Sequence, residues 1–145
     1  MPDENSNILI QEWKTCVEMA DSISRRRDNS NNLYVTFNLA IIAGIVMVWD
    51  VKSLVLGFAG IIISAIWFKS IRYYKSLNEE KYLIINRLEE KLPYKPYTEE
   101  WQNLLNRSKY KDGTSIEMYL TKMFIVFYIL SILIITIPRI TELIK

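Results

Sequence analysis

NSNNLYVTFNLAIIAGIVMVW, residues 29–49, runs for 21 residues without a charge and is almost wholly apolar from Leu33 onward. A hydrocarbon core of about 30 Å needs roughly 20 helical residues at 1.5 Å each, so this stretch is long enough to cross one. Two further uncharged blocks follow, SLVLGFAGIIISAIWF at 53–68 and MFIVFYILSILIITIP at 123–138, each of 16 residues. All 18 basic and 16 acidic residues lie outside the three blocks. The second block reaches spanning length with Val51 added and with Lys52 and Lys69 extending toward the headgroups along their aliphatic stems. The third does so if it begins near Met118, with Lys122 snorkelling one turn inside. The pattern predicts three spans; the alternative for any one block is a buried helix of a soluble fold.

The first 28 residues are polar and acidic and lack the apolar region of a cleaved signal, so the N-terminus is expected to be mature sequence. Between the first two spans only Trp49-Asp50-Val51-Lys52 remains, enough for a tight turn, which makes them antiparallel neighbours. Residues 1–32 carry Lys14, Arg25, Arg26 and Arg27 beside the spans. Residues 69–117 carry ten more basic residues, Lys69, Arg72, Lys109 and Lys111 among them, against Lys52, Arg139 and Lys145 on the other side. This imbalance predicts a cytoplasmic N-terminus and a cytoplasmic central segment. Pro138 is expected to end the third helix. The 139–145 tail then lies outside, or returns to the cytoplasmic side if the block re-enters, with Ile140, Leu143 and Ile144 suited to an interface.

Leu9, Trp13, Cys16, Val17, Ala20 and Ile23 recur at spacings of three and four, the stripe of an amphipathic helix, and Asn29–Asn32 should weaken or cap it before the first span. Ile71, Tyr74, Leu77, Ile84, Ile85, Leu88 and Leu92 continue the second span as a long helix. Glu79, Glu80, Arg87, Glu89, Glu90 and Lys91 read as its charged exterior. Pro93 and Pro96 force an elbow. Thr98 can then cap a new helix, and Thr114 or Ser115 the last one. Tyr94, Tyr97 and Trp101 are expected to pack against Trp13 and Leu88. The sum is an all-α membrane protein: a transmembrane hairpin (33–49 and 51–68), cytoplasmic helical extensions at 1–32 and 69–117, and a third transmembrane helix at 118–138.

Chemistry is poorly represented. The chain has no histidine and one cysteine, so no disulfide framework, and the usual metal sites lose their commonest ligand. Cys16 lies on an apolar stripe, where a thiol behaves as a small hydrophobe. Glu79-Glu80, Glu89-Glu90 and Glu99-Glu100 are sequence neighbours whose side chains diverge around a helix. No phosphate loop or nucleophile motif is present. These readings predict a non-enzymatic protein with no cofactor, no metal and, at net charge +2, no nucleic-acid partner.

The informative residues concern assembly. Ala40 and Gly44 in the first span, and Gly57, Gly60 and Ser64 in the second, allow close helix approach, within the hairpin or between subunits. Asn38 lies about two turns inside the first span, where an amide must face a partner or water. It reads as an interhelical hydrogen bond, to Ser64 or a carbonyl, or, with Thr36, as one element of a polar girdle around a conduit. Arg25, Arg26 and Arg27, with Lys69 and Arg72, suit an anionic membrane surface.

Ser24-Arg25-Arg26-Arg27, Asn29 and Leu33-Tyr34-Val35-Thr36-Phe37-Asn38 resemble the entry to the first span of bacterial SLATT-type two-helix membrane proteins. Leu77-Asn78, Lys81, Ile85, Leu88-Glu89, Leu92-Pro93, Pro96-Tyr97, Glu100-Trp101 and Ser115-Ile116-Glu117 resemble the RipA family of octameric membrane proteins, so that the likeness covers roughly residues 13–130. The resemblance implies a bacterial inner-membrane ring of identical subunits. Through the SLATT relatives it implies a membrane-permeabilising effector in antiviral or conflict systems, answering a cytoplasmic protein or nucleotide signal. A passive scaffold or adaptation factor that recruits cytoplasmic partners is the alternative, favoured by the lack of a continuous polar stripe on any span.

Overall fold

A computed structural model describes residues 4–107 and 112–143. The described chain contains helices α1 (Glu4–Val48), α2 (Leu54–Glu89), α3 (Pro96–Leu105) and α4 (Gly113–Leu143), with a short 3-10 turn at Val51–Ser53. No strand occurs among the described residues, and the fold is all-α. Three helices are long and apolar enough to cross a membrane: Glu4–Val48, Val51–Glu89 and Gly113–Thr141. Lys109, Lys111, Ile144 and Lys145, used above for orientation and for the tail, lie outside the described residues.

The chain divides into two compact units, Met1–Asp28 with Tyr73–Asp112, and Asn29–Arg72 with Gly113–Lys145. In the second unit, α1 and α2 form the expected antiparallel hairpin. α1 stops at Val48, and Trp49 takes a left-handed φ of 35° to reverse the chain. Asp50 then starts the 3-10 turn: its Oδ1 accepts the Val51 N–H at 2.6 Å, and its carbonyl accepts the Ser53 hydroxyl at 2.6 Å. From this turn the two helices stay in contact along the hairpin. A Cβ on Gly44 would lie 3.0 Å from Leu56, Ser64 meets Asn38, and the Trp67 indole donates to the Asn31 side chain at 2.8 Å.

α4 runs antiparallel to α2. Gly57 faces Ile132, Gly60 faces Tyr128, and Trp67 lies 6.0 Å from Phe124 between ring centroids. Arg139 pairs with Asp50 at 2.7 Å, fastening α4 to the hairpin turn.

This unit is apolar on the outside. Met47 is 86% exposed and Val55 73%, while Asn38 and Ser64 are sealed. Of the most apolar window in each candidate span, only 11%, 28% and 17% is buried. A soluble fold would have turned those faces inward, since contiguous apolar surface of this extent is not left to water. The soluble alternative fails here.

Two expectations about helix boundaries are corrected. Asn29–Asn32 do not interrupt α1, which runs unbroken from Glu4 to Val48: the Asn31 side chain is engaged by the Trp67 indole instead of its own backbone, and the Asn32 backbone carbonyl also accepts the Thr36 hydroxyl at 2.9 Å. Nor does Pro138 end the last helix, which continues to Leu143. Proline removes one helical donor and crowds the preceding turn. Hydroxyls on either side bond back to the helix, Thr136 to the Ile132 carbonyl and Thr141 to the Pro138 carbonyl, and in lipid an unbroken helix is the least costly way to satisfy a backbone.

The first unit combines α1 before Asp28, α2 from Tyr73, and α3. The N-terminal stripe faces inward as the spacing predicts: Ala20 is buried and Trp13, Cys16, Val17 and Ile23 are half-buried, whereas Glu12, Asp21 and Arg25 are exposed. Ile85 and Glu89 complete the buried set on α2.

Candidate functional site

The deepest polar cluster lies in the second unit, at the level of Asn38. The Asn38 side-chain oxygen accepts two hydroxyls, Ser64 at 2.8 Å and Tyr128 at 2.8 Å, and its amide donates to the Tyr34 carbonyl at 2.8 Å. Tyr128 also approaches the Asn38 carbonyl at 3.2 Å. Asn38, Ser64 and Tyr128 are each 0% exposed. One residue from each of three helices thus meets at a single oxygen. Such groups are costly in hydrocarbon unless paired, and here the pairing closes within one protomer.

Gly60 makes the cluster possible. A Cβ there would stand 2.6 Å from both Cε atoms of Tyr128, so only glycine lets the phenol cross α2 to reach Asn38. Gly57 does the same for the neighbouring turn of α4, where a Cβ would lie 2.9 Å from Ile132 Cγ1.

The structure brings Asn38 and Ser64 together and keeps Thr36 apart from them, on the exposed face and bonded to its own helix. Gly57 and Gly60 serve α4, Gly44 serves the hairpin, and Ala40 is exposed. Arg25, Arg26, Lys69 and Arg72 are exposed, and Arg27 is half-buried. Sequence reasoning did not nominate Tyr128. The signal was there: a phenol in the middle of an apolar run must find a partner, and Gly60 offered the space.

A second built feature occupies the first unit. Glu89, read from sequence as a charged exterior residue, is 0% exposed. Its Oε1 accepts the Tyr97 N–H at 3.0 Å, and its Oε2 accepts the Thr98 N–H at 3.1 Å and the Thr98 hydroxyl at 2.9 Å. The carboxylate therefore caps α3 and sits at the positive end of its dipole. This corrects the expectation that Thr98 would be the cap: α3 begins two residues earlier, with Pro96 in its first turn and no side-chain bond from Lys95.

Around this cap, Trp13 and Tyr82 lie 6.0 Å and 5.9 Å from Tyr97 between ring centroids. Burial pushes the Tyr97 phenol above its ordinary range, with Asp21 adding to the shift, and does the same at Tyr82, where Asp21 and Glu100 contribute. Leu88 and Pro96 are half-buried and Pro93 is exposed. Tyr94 is 64% exposed and Trp101 51%, which overturns their assignment to this core: α3 turns only Tyr97 and its half-buried neighbours inward.

Among the described residues, no group of three His, Cys, Asp or Glu could hold a metal ion. Glu79 and Glu80 are exposed, as are Glu99 and Glu100, and Glu89 and Glu90 diverge into core and surface.

With the three apolar helices and their internal polar clasp described, comparison gives the family. The model of the octameric membrane protein family matches residues 10–137. The chain belongs to that family. It is an oligomeric membrane protein that assembles with copies of itself. No curated protein and no solved structure matches the chain.

Proposed function

We propose that this octameric membrane protein is a non-enzymatic scaffold of the bacterial inner membrane. Its N-terminal and central helices would face the cytoplasm and recruit partners there, and its membrane helices would conduct nothing. One observation carries this reading. Asn38 and Ser64, the amide and hydroxyl that could have edged a conduit, are paired with Tyr128 inside the protomer, and the outward faces of the spans are apolar. The cytoplasmic side follows from the basic residues beside the spans.

A gated effector of antiviral or conflict defence is the second reading. The resemblance to SLATT-type proteins and the octameric family support it, because eight copies arranged about an axis enclose a space that no single protomer has to line. Purified octamer reconstituted into potassium-loaded liposomes separates the two. The scaffold reading expects ion release no faster than from empty vesicles at any protein loading. Release that scales with the number of octamers would replace it with the effector.

A further inference from the structure

Lys122 extends from α4 over the ring of Phe68 on α2, with its ammonium 6.0 Å from the ring centroid. Phe68 and Arg72 are four residues apart on α2, and Lys69 and Arg72 three apart, so these side chains share one helix face with neighbouring Cβ atoms about 5–6 Å apart. The antiparallel register brings the three cations to one end of the same α2/α4 seam. Phe68 faces Lys122 there, and the Trp67–Phe124 contact lies one step further into the span. Lys69, Arg72 and Lys122 are all exposed, and none has an ion-pair partner among the described residues. The nearest carboxylate along α4, Glu117, stands five residues from Lys122 and on another face of the helix.

Three unneutralised cations at a span end resemble half of a binding site. The other half lies below them. On α2, Ile62 and Ile66 precede Lys69 at one-turn intervals and are 59% and 51% exposed. On α4, Met123 and Val126 are 53% and 54% exposed just inside Lys122. Charge above and exposed apolar side chains beneath, on each of the two helices, is the pattern of an anionic phospholipid, phosphate at the top and acyl chains along the helices. A soluble anion would need only the upper half. Lys122, which enters the span by a turn, is placed to meet a phosphate held by the membrane, its charge resting meanwhile on the face of Phe68.

We infer that Lys69, Arg72 and Lys122 form a binding site for the headgroup of an anionic phospholipid, with its chains lying against the exposed apolar side chains of α2 and α4 below.

Native mass spectrometry of the detergent-solubilised octamer, with phosphatidylglycerol or phosphatidylcholine added, tests this directly. The parent should retain phosphatidylglycerol in preference to phosphatidylcholine. At about five-fold per cation, the combined K69Q/R72Q/K122Q variant should lose on the order of 100-fold of that preference. Lys52→Gln, at the opposite end of the spans, should keep it. If the triple variant does not assemble, Lys122→Gln alone reads the same effect at about five-fold. Equal retention of the two lipids by the parent, or an unchanged preference in both Lys122 variants, would overturn the site. Thermal protection by inorganic phosphate equal to that by phosphatidylglycerol would overturn its assignment to lipid.

Discussion

The Tyr128 hydroxyl donates to the side-chain oxygen of Asn38 across 90 residues of sequence, at 2.8 Å. Ser64 donates to the same oxygen from the opposite arm of the hairpin. The third span is thereby tied to the first two by polar contact as well as by apolar packing. In lipid, where helices gain little from the hydrophobic effect, such contacts and close backbone approach carry much of the association.

Removing the acceptor should therefore matter more than removing one donor. Asn38→Leu leaves the Tyr128 and Ser64 hydroxyls without their shared partner and should destabilise the protein by about 2 kcal/mol, whereas Tyr128→Phe should cost about 1 kcal/mol. Unfolding titrations of the reconstituted variants give both values, and gel filtration of Asn38→Leu should show partial loss of the oligomer. A larger loss from Tyr128→Phe would reverse the order argued here.

Gly60→Ala places a methyl group inside the Tyr128 ring. Overpacking of this kind should cost about 1–3 kcal/mol, because α2 and α4 must separate or the phenol must leave Asn38. Tyr128→Leu frees the space, so adding Gly60→Ala to it should cost far less than in the parent. Additive losses in the two backgrounds would show that Gly60 is not there to admit Tyr128.

Glu89 and α3 make a parallel case in the first unit. Glu89→Leu removes the acceptor of three bonds and should lower stability by about 3 kcal/mol, with the helix at Pro96–Leu105 loosened first. Glu89→Gln keeps some of these bonds and should cost roughly half as much. Hydrogen exchange resolved along the chain is the suitable measurement. Unaltered protection of the α3 amides in Glu89→Leu would contradict the cap.

Much of the fold could be read from the chain because lipid imposes length, and length is visible as uncharged runs. The hairpin turn, the three spans and the N-terminal stripe follow from spacing and charge, and Ser64 is one of the partners that spacing leaves open to Asn38. Glu89 could not be read that way. Its partners lie beyond two prolines, and a carboxylate in a charged run with Arg87, Glu90 and Lys91 gives no local sign that a helix end will fold back onto it. Pro138 misled for a related reason, since the rule that proline stops a helix is drawn from water, where the freed carbonyl has somewhere to go. Trp101 is expected inward as one of the apolar residues of its helix, while the turn that sets the face of α3 is fixed by Pro96 and Glu89.

The tyrosines beside that cap confer a dependence on pH. Tyr97 and Tyr82 hold their phenol protons above the ordinary value of 10.0, each chiefly through burial and next through Asp21. The folded chain consequently binds more protons than the unfolded one once pH exceeds that value. Stability from these groups is complete below it and falls as pH rises toward their folded values. Melting temperatures of the parent should drop above about pH 10, and the Y82F/Y97F variant should lose less over the same range. Equal slopes would remove these two tyrosines as the cause.

The central claim is that Asn38, Ser64 and Tyr128 face one another within a protomer and meet no water. Cysteines placed singly at positions 38 and 64, in a Cys16→Ser background, can be challenged with a membrane-impermeant maleimide in sealed vesicles of both orientations. No modification is expected at either position until the protein is denatured; rapid labelling at position 38 or 64 in the assembled octamer would contradict the claim.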